Sequence, residues 1–329
     1  MRSTKFLFGW ALVAAVAGGP AVAQFGPDGS TPEQKAVVAN DPPFRAERLM
    51  LTALPRPLRP ATALFNGRDL AGWDSWLGQT NPALTYAPTA GTPIGLNKDA
   101  NKVFSVVRED GAPAIYASGK LFGGLLTSKE YGNYHLRLQF KWGKNKWIDN
   151  FPRNNGVLYH SHGAYGAFFG TWMSAVEFEI VPKSIGMLLT VGSSRGAKSF
   201  ADVDWNVAAK VLVARDPKLP YPYRRYMPGG RLSPLEAFAF NVDANSDAEK
   251  PLGEWNTLDL YVMGNRSVHV VNGVPVMAAQ DITTRDGPGA KPRPLTRGRI
   301  QLQSEGAETY FRNITIEPIN RLPQVVVKR

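Results

Sequence analysis

Short runs in which apolar and polar residues alternate, broken by Gly, Pro, Asn and Asp, organise the chain from residue 64 onward. A period of two marks a strand with one face on a core and the other facing outward. In residues 134–142, Tyr134, Leu136, Leu138, Phe140 and Trp142 share one face, while His135, Arg137, Gln139 and Lys141 share the other. In residues 176–181, Val176, Phe178 and Ile180 oppose Glu177 and Glu179. Two carboxylates then point the same way about 7 Å apart, from a rise of about 3.3 Å per residue. Residues 257–263 and 267–271 read as a strand pair turning at Gly264-Asn265, and Asn272-Gly273 supplies a tight turn into residues 274–277. Residues 299–303 and 310–317 close the pattern, and helical periodicity is nearly absent. The prediction is an all-β sandwich of antiparallel sheets. Residues 204–226, with Trp205, Tyr221 and Tyr223, read as a long connection over one sheet.

The N-terminus follows a different pattern. Arg2 and Lys5 precede an apolar run over residues 6–17 and then Ala21-Val22-Ala23. A positive start, a short apolar stretch and an A-x-A site describe a secretory signal, here expected over residues 1–23, and the run is too short for a bilayer-spanning helix. The expected location is therefore periplasmic or extracellular. Residues 24–60, rich in Pro, Ala and Arg, read as a lead-in with at most one short helix near residues 44–54. A domain over residues 61–320 and a tail over residues 321–329 complete the expected organisation.

Composition narrows the chemistry. The chain has no cysteine, which excludes disulfides, thiolate metal sites and thiol nucleophiles. Its formal charge is +11, or 11 − 2 = +9 once Arg2 and Lys5 leave with the signal. The basic residues are scattered in pairs rather than drawn into an aromatic-interleaved stripe, so the sequence carries no nucleic-acid signature.

Five strings carry a resemblance. They are Leu64-Phe65-Asn66-Gly67-Arg68-Asp69-Leu70-Ala71-Gly72-Trp73, then Gly124-Leu125-Leu126-Thr127-Ser128-Lys129-Glu130-Tyr131-Gly132-Asn133-Tyr134, then Asn154-Asn155-Gly156-Val157-Leu158-Tyr159-His160, then Val176-Glu177-Phe178-Glu179-Ile180, and last Gly298-Arg299-Ile300-Gln301-Leu302-Gln303 with Phe311-Arg312-Asn313-Ile314. In order and spacing this set resembles the 3-keto-disaccharide hydrolase family over residues 64–318. The resemblance implies a concanavalin-like jelly roll. The chain departs from the family pattern in reading Asn155 where Ser is usual, Glu179 where Gln is usual, and Lys183-Ser184-Ile185-Gly186 where many members carry acidic residues.

With strands aligned as the resemblance implies, one concave face gathers His135, Arg137 and Lys141, then His160, then Glu177 and Glu179. The implied chemistry starts from a ketone at sugar C3, which acidifies the C2 proton. A base removes that proton, the C1 group leaves by β-elimination, and water adds to the enone. Candidate catalytic residues are Glu177 or His160 as base, Lys129, Arg137 or a divalent ion at the enolate oxygen, and Glu179 beside them. Expected sugar contacts are Arg137, Lys141, Arg153, Asn155, Trp172 and Tyr165. His160, His162 and Glu177 form a candidate metal set of N and O ligands. His269 reads as a strand-surface residue, Trp147 and Trp172 as rim or local packing, and residues 164–170 as a mobile loop beside the cleft. Two alternatives stand beside the enzyme: a non-catalytic glycan-binding module, and an ordinary glycosidase, which the same-strand placement of the two acids disfavours because such acids flank the scissile bond. The implied pathway partner is a separate sugar oxidoreductase that forms the ketone.

Overall fold

The computed structural model describes residues 32–86, 91–148, 152–194, 202–219, 222–235 and 240–328. The expected signal and the first part of the lead-in lie outside the described residues. Strands dominate, and they form a smaller sheet of eight strands, a larger one of twelve and a separate two-stranded ribbon. The smaller sheet runs in the order Asn241–Val242, Leu188–Val191, Ser174–Ile180, Asn155–His162, Arg299–Ser304, Gly123–Thr127, Trp73–Leu77 and Gly95–Leu96. The larger is centred on Asn256–Met263, Tyr134–Lys146 and Ala307–Pro318. The named strands pair antiparallel throughout, and this is a concanavalin-like jelly-roll sandwich.

The core follows from the alternation. Tyr134, Leu136, Leu138, Phe140 and Trp142 from the larger sheet meet Val157, Tyr159, Val176, Phe178 and Ile180 from the smaller one in a single buried cluster. Burying an aliphatic or aromatic side chain of this kind contributes about 1.5–3 kcal/mol. Stability therefore comes from packing between the sheets, as a chain without cysteine requires.

Three expectations need correction. Residues 204–226 are not one long connection, because Val207–Arg215 and Arg224–Tyr226 are strands of the larger sheet. His269 is not a surface residue: it is fully buried, stacked on Phe178 at 4.4 Å, with its ring nitrogens on the Gly186 carbonyl and the Tyr159 hydroxyl. Burial pushes that imidazole down to about 4. The expected helix near residues 44–54 lies earlier, at Pro32–Ala39, while Leu49–Thr52 pairs with Gln324–Val327 to form the ribbon. Asp41, fully buried, then fastens the lead-in by accepting from Arg224 Nε at 2.8 Å and Arg231 Nε at 2.7 Å.

Candidate active site

The outer face of the smaller sheet carries a row of polar side chains that is not left to water. Glu177 and Glu179 project outward from Ser174–Ile180, yet they are only 4% and 1% exposed. Gln303, at 2%, and Glu305, at 3%, stand near them at and just beyond the end of Arg299–Ser304. Tyr86 reaches over from the connection after Trp73–Leu77 and places its hydroxyl 3.3 Å from Glu305 Oε1, donating to it. Phe168, Trp172, Trp205 and Phe240 complete an aromatic wall around these groups. The enclosed space is about 40 Å³, room for water but short of a sugar ring.

The sequence makes this arrangement possible at Gly156. A Cβ there would sit 2.0 Å from Glu177 Oε1 and 2.8 Å from Gln303 Oε1, so only glycine leaves room for the two side chains to cross the neighbouring strand. Just beneath, Asn155 donates to the Gln303 carbonyl and to Thr309 Oγ1, both at 3.0 Å, tying three strands together under the acids.

Burial governs the charge state. It raises Glu177 well above the ordinary carboxylate range, with Glu305 adding repulsion while hydrogen bonds from Glu179 and Gln303 oppose the rise. It raises Glu179 as well, reinforced by Glu177 and Glu305 and by the hydrogen bond to Glu177. Within the pair Glu179 therefore donates to Glu177, and Glu177 gives up its proton first. Burial also lifts Glu305, to about 8. Glu179 Oε1 and Gln303 Oε1 are buried without a hydrogen-bond partner, two acceptors aimed at whatever enters.

The other expected residues scatter. His135, Arg137 and Lys141 stand on the outer face of the larger sheet, across the sandwich from the acids. His135 is held between Asp259 and Glu317 at 2.8 Å each, Arg137 pairs with Asp259 at 3.2 Å, and Lys141 pairs with Glu109 and Asp110. Arg153 spends its guanidinium on the carbonyls of Gly143, Lys144 and Asn145. Lys129 is exposed past the far end of Gly123–Thr127, whereas the acids adjoin that strand's start. His160 sits at a β-bulge with a left-handed backbone, φ 54°, and its ring lies beside Tyr159 and the turn at Gly264 rather than beside Glu177. Burial pushes it down to about 4. His162 bonds Thr284 at 2.7 Å on the larger sheet. The candidate metal set of His160, His162 and Glu177 is thus not assembled, and among the described residues no three His, Asp or Glu side chains are placed to hold a metal ion.

Two expectations fit the site. Trp172 is a pocket wall, its indole donating to the Gly123 carbonyl at 3.2 Å. Tyr165 lies on the same face, stacked on Trp76 at 5.4 Å with Arg299 over its ring. Its loop is fastened down, Trp76 Nε1 donating to the Gly170 carbonyl at 2.9 Å. Glu305, Gln303 and Tyr86 were missed from sequence. The signal for two of them was the alternation Gln301, Gln303, Glu305, which continues the outward face two residues past the recognised string.

The protein is a carbohydrate-active enzyme of glycosyl-hydrolase-like type, and the acid cluster under the aromatic wall is its candidate site. Residues 60–317 match the model of the 3-keto-alpha-glucoside-1,2-lyase-like domain, and the chain belongs to that family. Similar solved structures include two candidate glycosyl hydrolases of Parabacteroides distasonis ATCC 8503. One has 18% identity over 79% of this chain and 94% of its own, with a TM-score of 0.42; the other has 19% over 79% and 100%, with 0.41. The carbohydrate binding module CBM66 of Bacillus subtilis has 9% identity over 65% and 91%, with a TM-score of 0.34. The search of curated proteins gave no match. No helix among the described residues is long and apolar enough to cross a membrane.

Proposed function

We propose that the protein cleaves 3-keto-glycosides by elimination followed by hydration. The observation that carries this reading is the buried trio Glu177, Glu179 and Glu305, in which burial and mutual repulsion leave room for one ionised carboxylate beside protonated neighbours. Glu177 receives hydrogen bonds from Glu179 and Gln303, which make it the member of that pair that gives up its proton first, so it serves as base once ionised. It takes the C2 proton, and the electron pair of that C–H bond moves into the enolate with its charge on the C3 oxygen. A carboxylic acid kept neutral by its surroundings is a strong donor to such an oxygen; once Glu177 has taken the C2 proton, Glu179 turns its own proton from Glu177 to the C3 oxygen and fills that role in place of the cation expected from sequence. The enolate then expels the C1 substituent, whose oxygen takes a proton from Glu305. Water then gives its oxygen to C1 and a proton to Glu305, while Glu177, its proton exchanged with solvent, returns one to C2, so both residues are restored and the net reaction is hydrolysis. Seating a sugar ring requires the Phe168 side chain to swing outward from its fastened loop, since the closed space is too small. Trp172 and the unpaired acceptors on Glu179 and Gln303 then meet the ring and its hydroxyl groups.

The substrate presupposes a sugar oxidation at C3 by a separate oxidoreductase. Export through the expected signal would place the reaction outside the cytoplasm, with Gln24 as the mature N-terminus.

The test uses a 3-keto-disaccharide and its unoxidised parent in deuterated water. Cleavage of the keto sugar alone, with deuterium at C2 beyond the enzyme-free rate, is expected, and Glu177→Gln should abolish both. Cleavage of the parent without C2 label would establish an ordinary glycosidase, and products from neither sugar would leave a binding module.

A further inference from the structure

Beside the acid pocket, at the end of the sandwich where Tyr134–Lys146 finishes, the chain exposes Lys144, Lys146 and Trp147 in succession with Asn145. Trp147 is 42% exposed. Its indole nitrogen donates to the Ser118 carbonyl at 2.6 Å, and Lys120 lies over the ring at 4.8 Å from its centre. An indole fixed at one edge and open to solvent is a platform, and the cations around it set the sign of what can lie there. Among the described residues, Glu308 lies nearby and is engaged by Tyr116 and by the side chain and backbone of Asn145.

The platform is continuous with the pocket. The Trp147 amide donates to the Gly306 carbonyl at 2.8 Å, and Gly306 directly follows Glu305. The next residue, Ile148, packs in the apolar cluster of Phe122, Tyr86 and Trp172, two of which wall the pocket. Trp147 and the lysines around it therefore lie next to the wall of the acid pocket.

We infer that this surface is a second subsite, and that it binds an anionic glycan segment, one bearing carboxylate or sulfate groups, beyond the sugar that reacts. The placement of the reacting sugar rests on the reading above, but the subsite stands as a binding surface independently of it. Stacking on Trp147 recognises the sugar face, and the three lysines recognise the anionic substituents.

The test measures binding alone, so its outcome does not depend on turnover. Hexagalacturonate and its methyl-esterified, neutral form are titrated into the full mature protein by calorimetry and by tryptophan fluorescence. Preference for the charged form is expected, falling by more than about tenfold when salt is raised to roughly 0.5 M. Trp147→Ala should weaken binding by about tenfold, the upper range for one stacked aromatic. Lys120→Gln combined with Lys144→Gln and Lys146→Gln, which leaves the indole in place, should remove the preference for the charged form. Equal binding of the two forms, or unchanged affinity in both variants, would overturn the proposal. So would tighter binding of a single-stranded oligonucleotide than of hexagalacturonate at equal charge. Absence of C2 deuterium in the earlier keto-sugar test, with these titrations as expected, would instead count against the catalytic reading alone.

Discussion

Glu305→Gln should make the protein more stable, and only above acidic pH. The side chain is 3% exposed and its nearest polar partner is a tyrosine hydroxyl, so ionising it in the fold is costly. Its carboxyl is pushed by burial from the ordinary 4.5 up to about 8. Between those values the unfolded chain has released this proton while the folded one keeps it. The native state thus binds more protons, and stability falls as pH rises across the window. At about 1.4 kcal/mol per pH unit, the penalty reaches roughly 3 kcal/mol at pH 7 and on the order of 5 kcal/mol above pH 8. Glutamine keeps the shape and the carbonyl that accepts from Tyr86, but cannot ionise. Above pH 8, where Glu305 is ionised in the fold, it also removes a negative neighbour that opposes the ionisation of Glu177 and Glu179. Urea denaturation of both proteins from pH 4 to 9 should give curves that meet near pH 4 and separate by several kcal/mol near pH 8, with the variant higher. A constant offset at every pH, or a variant less stable throughout, would refute the reasoning and mean that Glu305 is ionised and paired in the fold. The same variant should lose turnover, the expected exchange of stability against function at a strained site.

Gly156→Ala should drive a methyl group into the space held by Glu177 and Gln303, costing about 1–3 kcal/mol and lowering C2 exchange by more than about tenfold; full exchange in a folded variant would show that the position of Glu177 is unimportant. Asp41→Ala leaves Arg224 buried without its carboxylate and should cost about 3–5 kcal/mol in chemical denaturation, and a loss under about 1 kcal/mol would show that the lead-in is not fastened there.

The strands, the core and part of the site were legible because each depends on neighbours in sequence. Alternation fixes which side chains share a face, so the core residues of Tyr134–Lys146 and the pairing of Glu177 with Glu179 could be read directly. His160 was misplaced because the strand alignment that the resemblance implies carries no bulge. A bulge shifts the register opposite Ser174 and Val176, and one extra residue is enough to turn a side chain from the outer to the inner face.

What the tertiary structure alone decided was which faces meet and what covers them. His135, Arg137 and Lys141 belong to a strand that looks, in sequence, as suitable for the site as Ser174–Ile180, yet it lies in the other sheet. Tyr86 and Glu305 are 219 residues apart and come together only through long-range strand pairing. Above all, the outward position of Glu177 and Glu179 was set by a local period of two, whereas their burial was set by connections from distant parts of the chain. Local alternation can aim a carboxylate, but its proton affinity depends on the low-dielectric surroundings that folding assembles around it.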